Sequence, residues 1–298
     1  MMNVTQFMGK IYSNHLKNKG TKPSSIDEYR HTVRHVVEVL GNVALDEITT
    51  ASLKTMCAEL LQRPGKYKGT RLSPNTVRKD FRNIRAILRH AHKLGMIDSV
   101  PEIPFPKERL RKAKGAFSVD EMKRIIEATE GRSHIRVYGM NAGFWWKNYL
   151  SFLYNTGIRV MTGVLIEWDW IDRENRVITL EERDGVKTTY EFLINDAAAR
   201  IIDVMRRSHD HPDYVFPWPM SERHLHRQFR MILRDAGVST QDGVAFSGIR
   251  ACFASEMAKE SVVAASAGLG HSDHRVTEKY YINQETVARK AVEQLPEI

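Results

Sequence analysis

Residues 268–282 read GLGHSDHRVTEKYYI and set Tyr280 beside Tyr281 on a stretch that also carries His271, His274 and Arg275. A phenol with a pKa of about 10 attacks poorly at neutral pH and becomes a nucleophile only where cations and a base surround it. Two adjacent tyrosines also suit the edge of a core, and the local sequence leaves both readings open. The other concentrated chemistry of the chain is guanidinium. In LSPNTVRKDFRNIRAILRHAHKLG, residues 72–95, Arg78, Arg82, Arg85 and Arg89 recur at helical spacing. Such a stripe repels itself unless an anion lies against it, and a guanidinium grips phosphate oxygens in pairs. Lys66, Lys68 and Arg71 stand just upstream, and Arg223, Arg227, Arg230 and Arg234 form a second stripe in SERHLHRQFRMILRDAG.

These groups must be held by structure, and the sequence outlines it. Hydrophobic residues make up 42% and charged residues 27% of 298, a balance suited to one large or two modest globular domains. No run of about 18 apolar residues occurs, so no membrane span or membrane partner is expected. The opening residues lack a secretory pattern, and Cys57 and Cys252 suit neither a disulfide framework nor a zinc site; a cytoplasmic setting is expected. Residues 1–115 hold 22 Lys and Arg against 10 Asp and Glu, a balance of +12; with a whole-chain charge of +9, the remainder carries −3. A strongly basic module on a near-neutral one suits a polyanion.

The first third reads as helices. Ser25 and Glu28 have capping-box spacing ahead of an apolar run that Gly41 ends; TTASLKTMCAELLQR stops at Pro64-Gly65; Ser73, Pro74 and Gly95 punctuate the arginine-striped helix. Prolines 101, 104 and 106 and the basic run 107–114 predict a linker over 101–115, between a helical domain 1–100 and a second domain 116–298. The second domain should open on a helix capped by Ser118 and Glu121. Helix follows over 145–166, broken at NTGIRV, and two strands flank Asp184-Gly185. Further helices run from about 192, from Ser221 and through GIRACFASEMA, and an amphipathic tail carries Val287, Ala291 and Leu295. The expected fold class is mainly α with a small β-sheet.

LYNTGIRVMTGVLIEWDWID, FSGIRACFASEMA and GLGHSDHRVTEKYY, in this order and spacing, resemble the signature boxes of the tyrosine recombinases, or phage-type integrases. The resemblance spans most of the chain. It implies a helical core-binding domain, a basic linker and an α+β catalytic domain. It puts the catalytic arginines at Arg159 and Arg250, the late histidine at His271 and the nucleophile at Tyr280, with Tyr281 a packing neighbour. The implied reaction is attack on a phosphodiester that two guanidinium groups neutralise. It leaves a covalent 3′-phosphotyrosine and a free 5′-hydroxyl, so rejoining needs neither ATP, a metal nor any other cofactor. The implied partner is double-stranded DNA, clamped between the two domains and held by a homo-tetramer on paired sites; accessory DNA-bending proteins are compatible with this.

The chain departs from the family pattern at three places. Ser247 stands where a histidine is usual, and Thr162 where an acidic residue commonly supports the arginines. For the hairpin lysine that protonates the leaving oxygen, position favours Arg183 and chemistry favours Lys187. Lys187 is the expected acid, with Arg183 the alternative. Lys66, Lys68 and the first arginine stripe, together with Arg223, Arg227 and Arg230, are the expected DNA contacts. These departures keep two alternatives in view: a DNA-binding protein of this fold with impaired catalysis, and a type IB topoisomerase. The small basic N-terminal domain argues against the latter.

Overall fold

A computed structural model describes residues 2–65, 69–107, 115–132, 136–181, 190–239 and 245–270. The chain divides into two compact units, Met1–Leu110 and Arg111–Ile298. No helix of the described residues is long and apolar enough to cross a membrane. Helices dominate both units, and the strands are short and antiparallel.

The first unit opens on a helical run that the sequence reading did not expect: α1 (Val4–Phe7), a π-helical turn (Met8–Tyr12) and α2 (Ser13–Asn18). Its signal was Asn3, whose side chain accepts from the Gln6 amide while Gln6 reaches back to the Asn3 amide. Val4, Phe7, Met8, Tyr12 and Leu16 then point inward. α3 (Pro23–Leu40) starts earlier than Ser25, because Pro23 at the first helical position already has the right φ. Ser25 therefore lies inside the first turn, and Glu28 pairs with Lys79 of another helix. α4 (Thr50–Gln62) and α5 (Pro74–Lys93) are capped by Thr49 and Ser73. Val77, Phe81, Ile84, Leu88 and Ala91 of α5 are all buried, as their spacing predicts.

One polar network crosses this core. Thr32 of α3 donates to Asp80 Oδ1 of α5 at 2.9 Å, His35 Nδ1 lies 3.0 Å from Asp80 Oδ2, and Asn83 donates to Thr32 at 3.0 Å. Asp80 is buried, and its partners satisfy it. The network pins the rotation of α5, and so decides which way its arginines face.

In the second unit α6 (Val119–Glu127) has the capping box that Ser118 and Glu121 predict. A tight hairpin follows, β1 (Arg136–Val137) and β2 (Met140–Asn141), turning on Tyr138 and Gly139 with positive φ. α7 (Ala142–Thr156) is the central element: Trp145, Trp146, Tyr149, Leu150, Phe152 and Leu153 are buried around most of its circumference. α8 (Val160–Gly163) follows after a three-residue break. Three strands, β3 (Ile171–Asp172), β4 (Val177–Leu180) and β5 (Tyr190–Leu193), form an antiparallel sheet in the order β3-β4-β5, with Leu180 opposite Tyr190 and Val177 opposite Leu193. The expected Asp184-Gly185 turn lies outside the described residues. α9 (Asp196–Arg206), α10 (Glu222–Asp235), α11 (Phe246–Ala258) and α12 (Val262–Gly268) complete the unit. Phe229 of α10 stacks on Phe246 of α11, with ring centroids 4.1 Å apart, and both rings stack on Trp146.

Replacing Asp80 by Ala strands the Thr32 hydroxyl and the His35 ring in the first unit. The expected loss is about 1–3 kcal/mol of stability. Urea denaturation of the full chain, followed by circular dichroism, checks it, with Asp80→Asn expected to lose less.

Candidate active site

The break between α7 and α8 comes from a glycine. Gly157 takes φ 61, and its amide closes α7 by donating to the Leu153 carbonyl at 2.9 Å. Ile158 is buried and anchors the turn, which leaves Arg159 exposed at the N-cap of α8. The Arg159 carbonyl accepts from the Thr162 and Gly163 amides, both at 2.9 Å, and the Tyr149 hydroxyl donates to the Val160 carbonyl. The backbone that carries Arg159 is thus tied to the central helix. Thr162 is buried beneath it.

Arg250 approaches from α11. Its side chain is 5% exposed, donates from Nη1 to the Gly157 carbonyl, and donates from Nη2 to the Leu269 carbonyl at 2.8 Å. Both acceptors sit at helix C-termini, where carbonyls lack intrahelical partners and the helix dipole is negative. Phe253, three residues on, fills the adjoining space. A Cβ on Gly157 would fall 2.2 Å from its ring, and one on Gly268 would fall 3.3 Å away. Ser247, three residues before Arg250 on the same helix, is half-buried in the first turn of α11.

β5 supplies a residue that the sequence reading missed. The Tyr190 hydroxyl lies within the field of the Arg159 guanidinium and, more weakly, of Arg250. Its ring lies against Gly270, where a Cβ would meet it at 2.9 Å. Burial pushes the phenol pKa up, while the charge of Arg159, then that of Arg250, pulls it down; burial wins. Only the alternation in YEFLI hinted at a side chain facing inward here, with Phe192 buried on the same face. Arg159, Arg250 and Tyr190 are therefore drawn together from three separate elements.

Of the other expected site residues, Tyr280, His271, Lys187, Arg183, Lys66 and Lys68 lie outside the described residues, as do Tyr281, His274 and Arg275. On α10, Arg223, Arg227 and Arg230 are exposed, opposite buried Leu225, Phe229 and Ile232. Arg227 meets His224 Nδ1 at 3.0 Å, and Arg230 donates to the His226 carbonyl at 3.3 Å. On α5, Arg82, Arg85 and Arg89 are exposed. Arg78 departs from its stripe. It is half-buried, donates to the Pro106 carbonyl at 2.7 Å and lies over the Phe105 ring at 5.4 Å from the centroid. The apolar Pro-rich segment competes with solvent for its flat guanidinium.

The sequence matches the family model of the phage integrase family over residues 116–286 and that of the phage integrase SAM-like domain over residues 4–109. Among solved structures it is similar to a lambda integrase (75-356) dimer bound to a COC' core site, with 16% identity, a TM-score of 0.68, and coverage of 100% of this chain and 99% of that one. The Tn1549 transposon integrase in complex with transposon right end DNA has 18% identity, a TM-score of 0.68 and 99% of each chain covered. A lambda integrase tetramer bound to a Holliday junction has 18% identity and a TM-score of 0.64, covering 91% of this chain and 75% of that one. At these identities the likeness is one of fold. No curated protein matches the sequence.

Two measurements check this packing. Gly157→Ala adds a clash with Phe253 worth about 1–3 kcal/mol and left-handed strain worth about 1–2 kcal/mol; denaturant titration should show the loss. Cys252 is buried, and burial pushes its thiol up to about 11. Folding thus raises this pKa above the free value of about 8.5. The neutral thiol contributes its full stability below that value and loses it as pH rises through the folded pKa. Iodoacetamide at pH 8 should leave Cys252 unmodified until denaturant is added, as peptide mass mapping would report.

Proposed function

The chain belongs to the phage integrase family of tyrosine recombinases, and from that premise we propose that it cuts and rejoins double-stranded DNA at a specific site through a covalent 3′-phosphotyrosine on Tyr280. The observation that carries this reading is the convergence of Arg159 and Arg250. Arg250 donates to the carbonyl of Gly157, two residues before Arg159, and the charges of both arginines fall on the one Tyr190 hydroxyl. Such a pair is an anion site, and a scissile phosphate is an anion whose charge grows at the equatorial oxygens as the nucleophile attacks.

In the proposed reaction the Tyr280 oxygen attacks phosphorus and the bond to the 5′-oxygen breaks. His271 hydrogen-bonds the phosphate or helps to take the phenol proton, and Lys187 gives a proton to the leaving oxygen, with Arg183 the alternative donor. Ser247, a turn ahead of Arg250, donates a hydrogen bond to a phosphate oxygen, although it carries no charge. The phosphotyrosine retains the energy of the broken bond, so attack by a new 5′-hydroxyl reverses the step with neither ATP nor metal.

In each unit an exposed helix face contacts the DNA backbone, α5 through Arg82, Arg85 and Arg89 and α10 through Arg223, Arg227 and Arg230, with one or two α10 arginines reading base edges. Lys66 and Lys68 extend the first face. Arg78, committed to Pro106 and Phe105, contributes least. The assembly is a homo-tetramer on paired sites, a reading supported by the fold shared with the integrase tetramer on a Holliday junction.

A suicide substrate carrying the cognate site tests the reaction. The native chain should form a protein–DNA adduct resistant to denaturant, and Tyr280→Phe should form none. Arg159→Ala should slow adduct formation by about 10²–10³-fold. Specific binding without any adduct would instead support a DNA-binding protein that has lost catalysis, the reading that Ser247 and Thr162 favour. For the proton donor, a substrate with sulfur in place of the leaving oxygen needs no acid. It should rescue Lys187→Ala and leave Arg183→Ala unaffected if Lys187 is the donor. Removing Arg82, Arg85 and Arg89 together should weaken binding and flatten its salt dependence by about 0.9 for each phosphate that is no longer neutralised.

A further inference from the structure

We propose that Tyr190 is a further catalytic residue: its hydroxyl, placed by the packing of its ring on Gly270, donates a hydrogen bond to a non-bridging oxygen of the phosphate that Arg159 and Arg250 grip. This deepens the strand-transfer reading and rests on it.

The first support is geometric. Tyr190 opens β5, opposite Leu180, and its half-buried ring is confined by Gly270 on one side. Gly270 could carry no side chain without displacing that ring, so the packing sets where the hydroxyl lies. Gly270 follows Leu269, whose carbonyl accepts from Arg250 at 2.8 Å, and the hydroxyl lies within the field of both arginines. Tyr149, whose hydroxyl also reaches the turn that carries Arg159, is fully buried and gives its proton to the Val160 carbonyl.

Hydrogen-bond chemistry supplies the second support. A guanidinium has five N–H donors and no acceptor. Beside a guanidinium a tyrosine hydroxyl can therefore only accept, and its own proton is left for another acceptor. An oxygen of an anion seated between the two arginines is an acceptor in reach of the same hydroxyl. A neutral hydroxyl beside Arg159, an exposed side chain with many rotamers, leaves its charge in place, as a carboxylate would not.

Protonation is consistent with this role. Burial raises the phenol pKa despite the two arginines, so Tyr190 stays neutral at physiological pH. It acts as a donor and does not compete with Tyr280 as a nucleophile. Its contribution is strongest where charge develops on the phosphate oxygens, so it should appear in the rate of cleavage more than in the affinity for DNA.

Tyr190→Phe keeps the ring against Gly270 and removes one oxygen. Cleavage of the suicide substrate should slow by about 10- to 100-fold, the range of a hydrogen bond to a charged group. DNA affinity and the thermal unfolding midpoint should be unchanged. On a substrate whose scissile phosphate is a neutral methylphosphonate, the difference between Tyr190→Phe and the native chain should shrink below about fivefold, the size of a neutral hydrogen bond. An unchanged rate in Tyr190→Phe overturns the proposal. So does a deficit of equal size on both substrates, which marks a structural role only. If the native chain binds its site and forms no adduct, the strand-transfer reading itself fails and takes this proposal with it. An adduct in the native chain with no Tyr190 effect overturns this proposal alone.

Discussion

A buried guanidinium organises the catalytic unit. Arg250 is almost wholly removed from water, a state that is costly unless its N–H groups are satisfied. Nη1 and Nη2 each donate to a carbonyl, those of Gly157 and Leu269 at the ends of α7 and α12. Helix ends have orphan acceptors and a partial negative charge, so they bind a cation without cancelling it as a carboxylate would. One side chain therefore joins three helices and keeps its full positive charge. The backbone after Leu269 leads directly to Gly270 and the Tyr190 ring, so the same clasp holds the end of α12 against the sheet.

The clasp depends on close approach, and close approach depends on missing side chains. Gly157 is left-handed and in contact with Phe253; Gly268 meets the same ring, and Gly270 meets Tyr190. Each glycine lets an aromatic ring pack where a Cβ would otherwise stand. The result is a rigid frame of helix ends and rings around a charged centre. A centre of this kind gains its electrostatic strength from being set in advance, so little reorganisation is needed when charge develops. Arg159 is exposed beside this frame, and its charge reaches the Tyr190 hydroxyl of β5.

The basic surfaces follow from a different constraint, the rotation of each helix about its axis. On α10 four buried apolar residues, Leu225, Phe229, Ile232 and Leu233, leave the arginines facing outwards. On α5 the apolar stripe does the same, assisted by a carboxylate on the inner face. Asp80, which the sequence alone would place among surface charges, is buried between Thr32 and His35. Arg78 shows the limit of a periodicity argument. It shares the rhythm of Arg82, Arg85 and Arg89, but a Pro-rich segment nearby offers it a carbonyl and an aromatic face.

Local signals in the sequence determined much of this protein. Ser73, Ser118 and Ser221 cap helices where their hydroxyls precede apolar periodicity, and Gly157 breaks the helix in NTGIR, because these are interactions over three or four residues. Motif order proposes Arg159 and Arg250 for one centre, and in the fold Arg250 donates to the carbonyl of Gly157, two residues before Arg159. Only the tertiary structure decided how that centre is held. The buried Arg250 clasp, the ring of Phe253 against two glycines and the Tyr190 hydroxyl at Arg159 all join segments far apart in the chain. Such contacts leave no period or cap to read. They arise from which faces meet when the core closes, and a tyrosine in a strand looks the same in sequence whether it fills space or lies in the field of an arginine from another element.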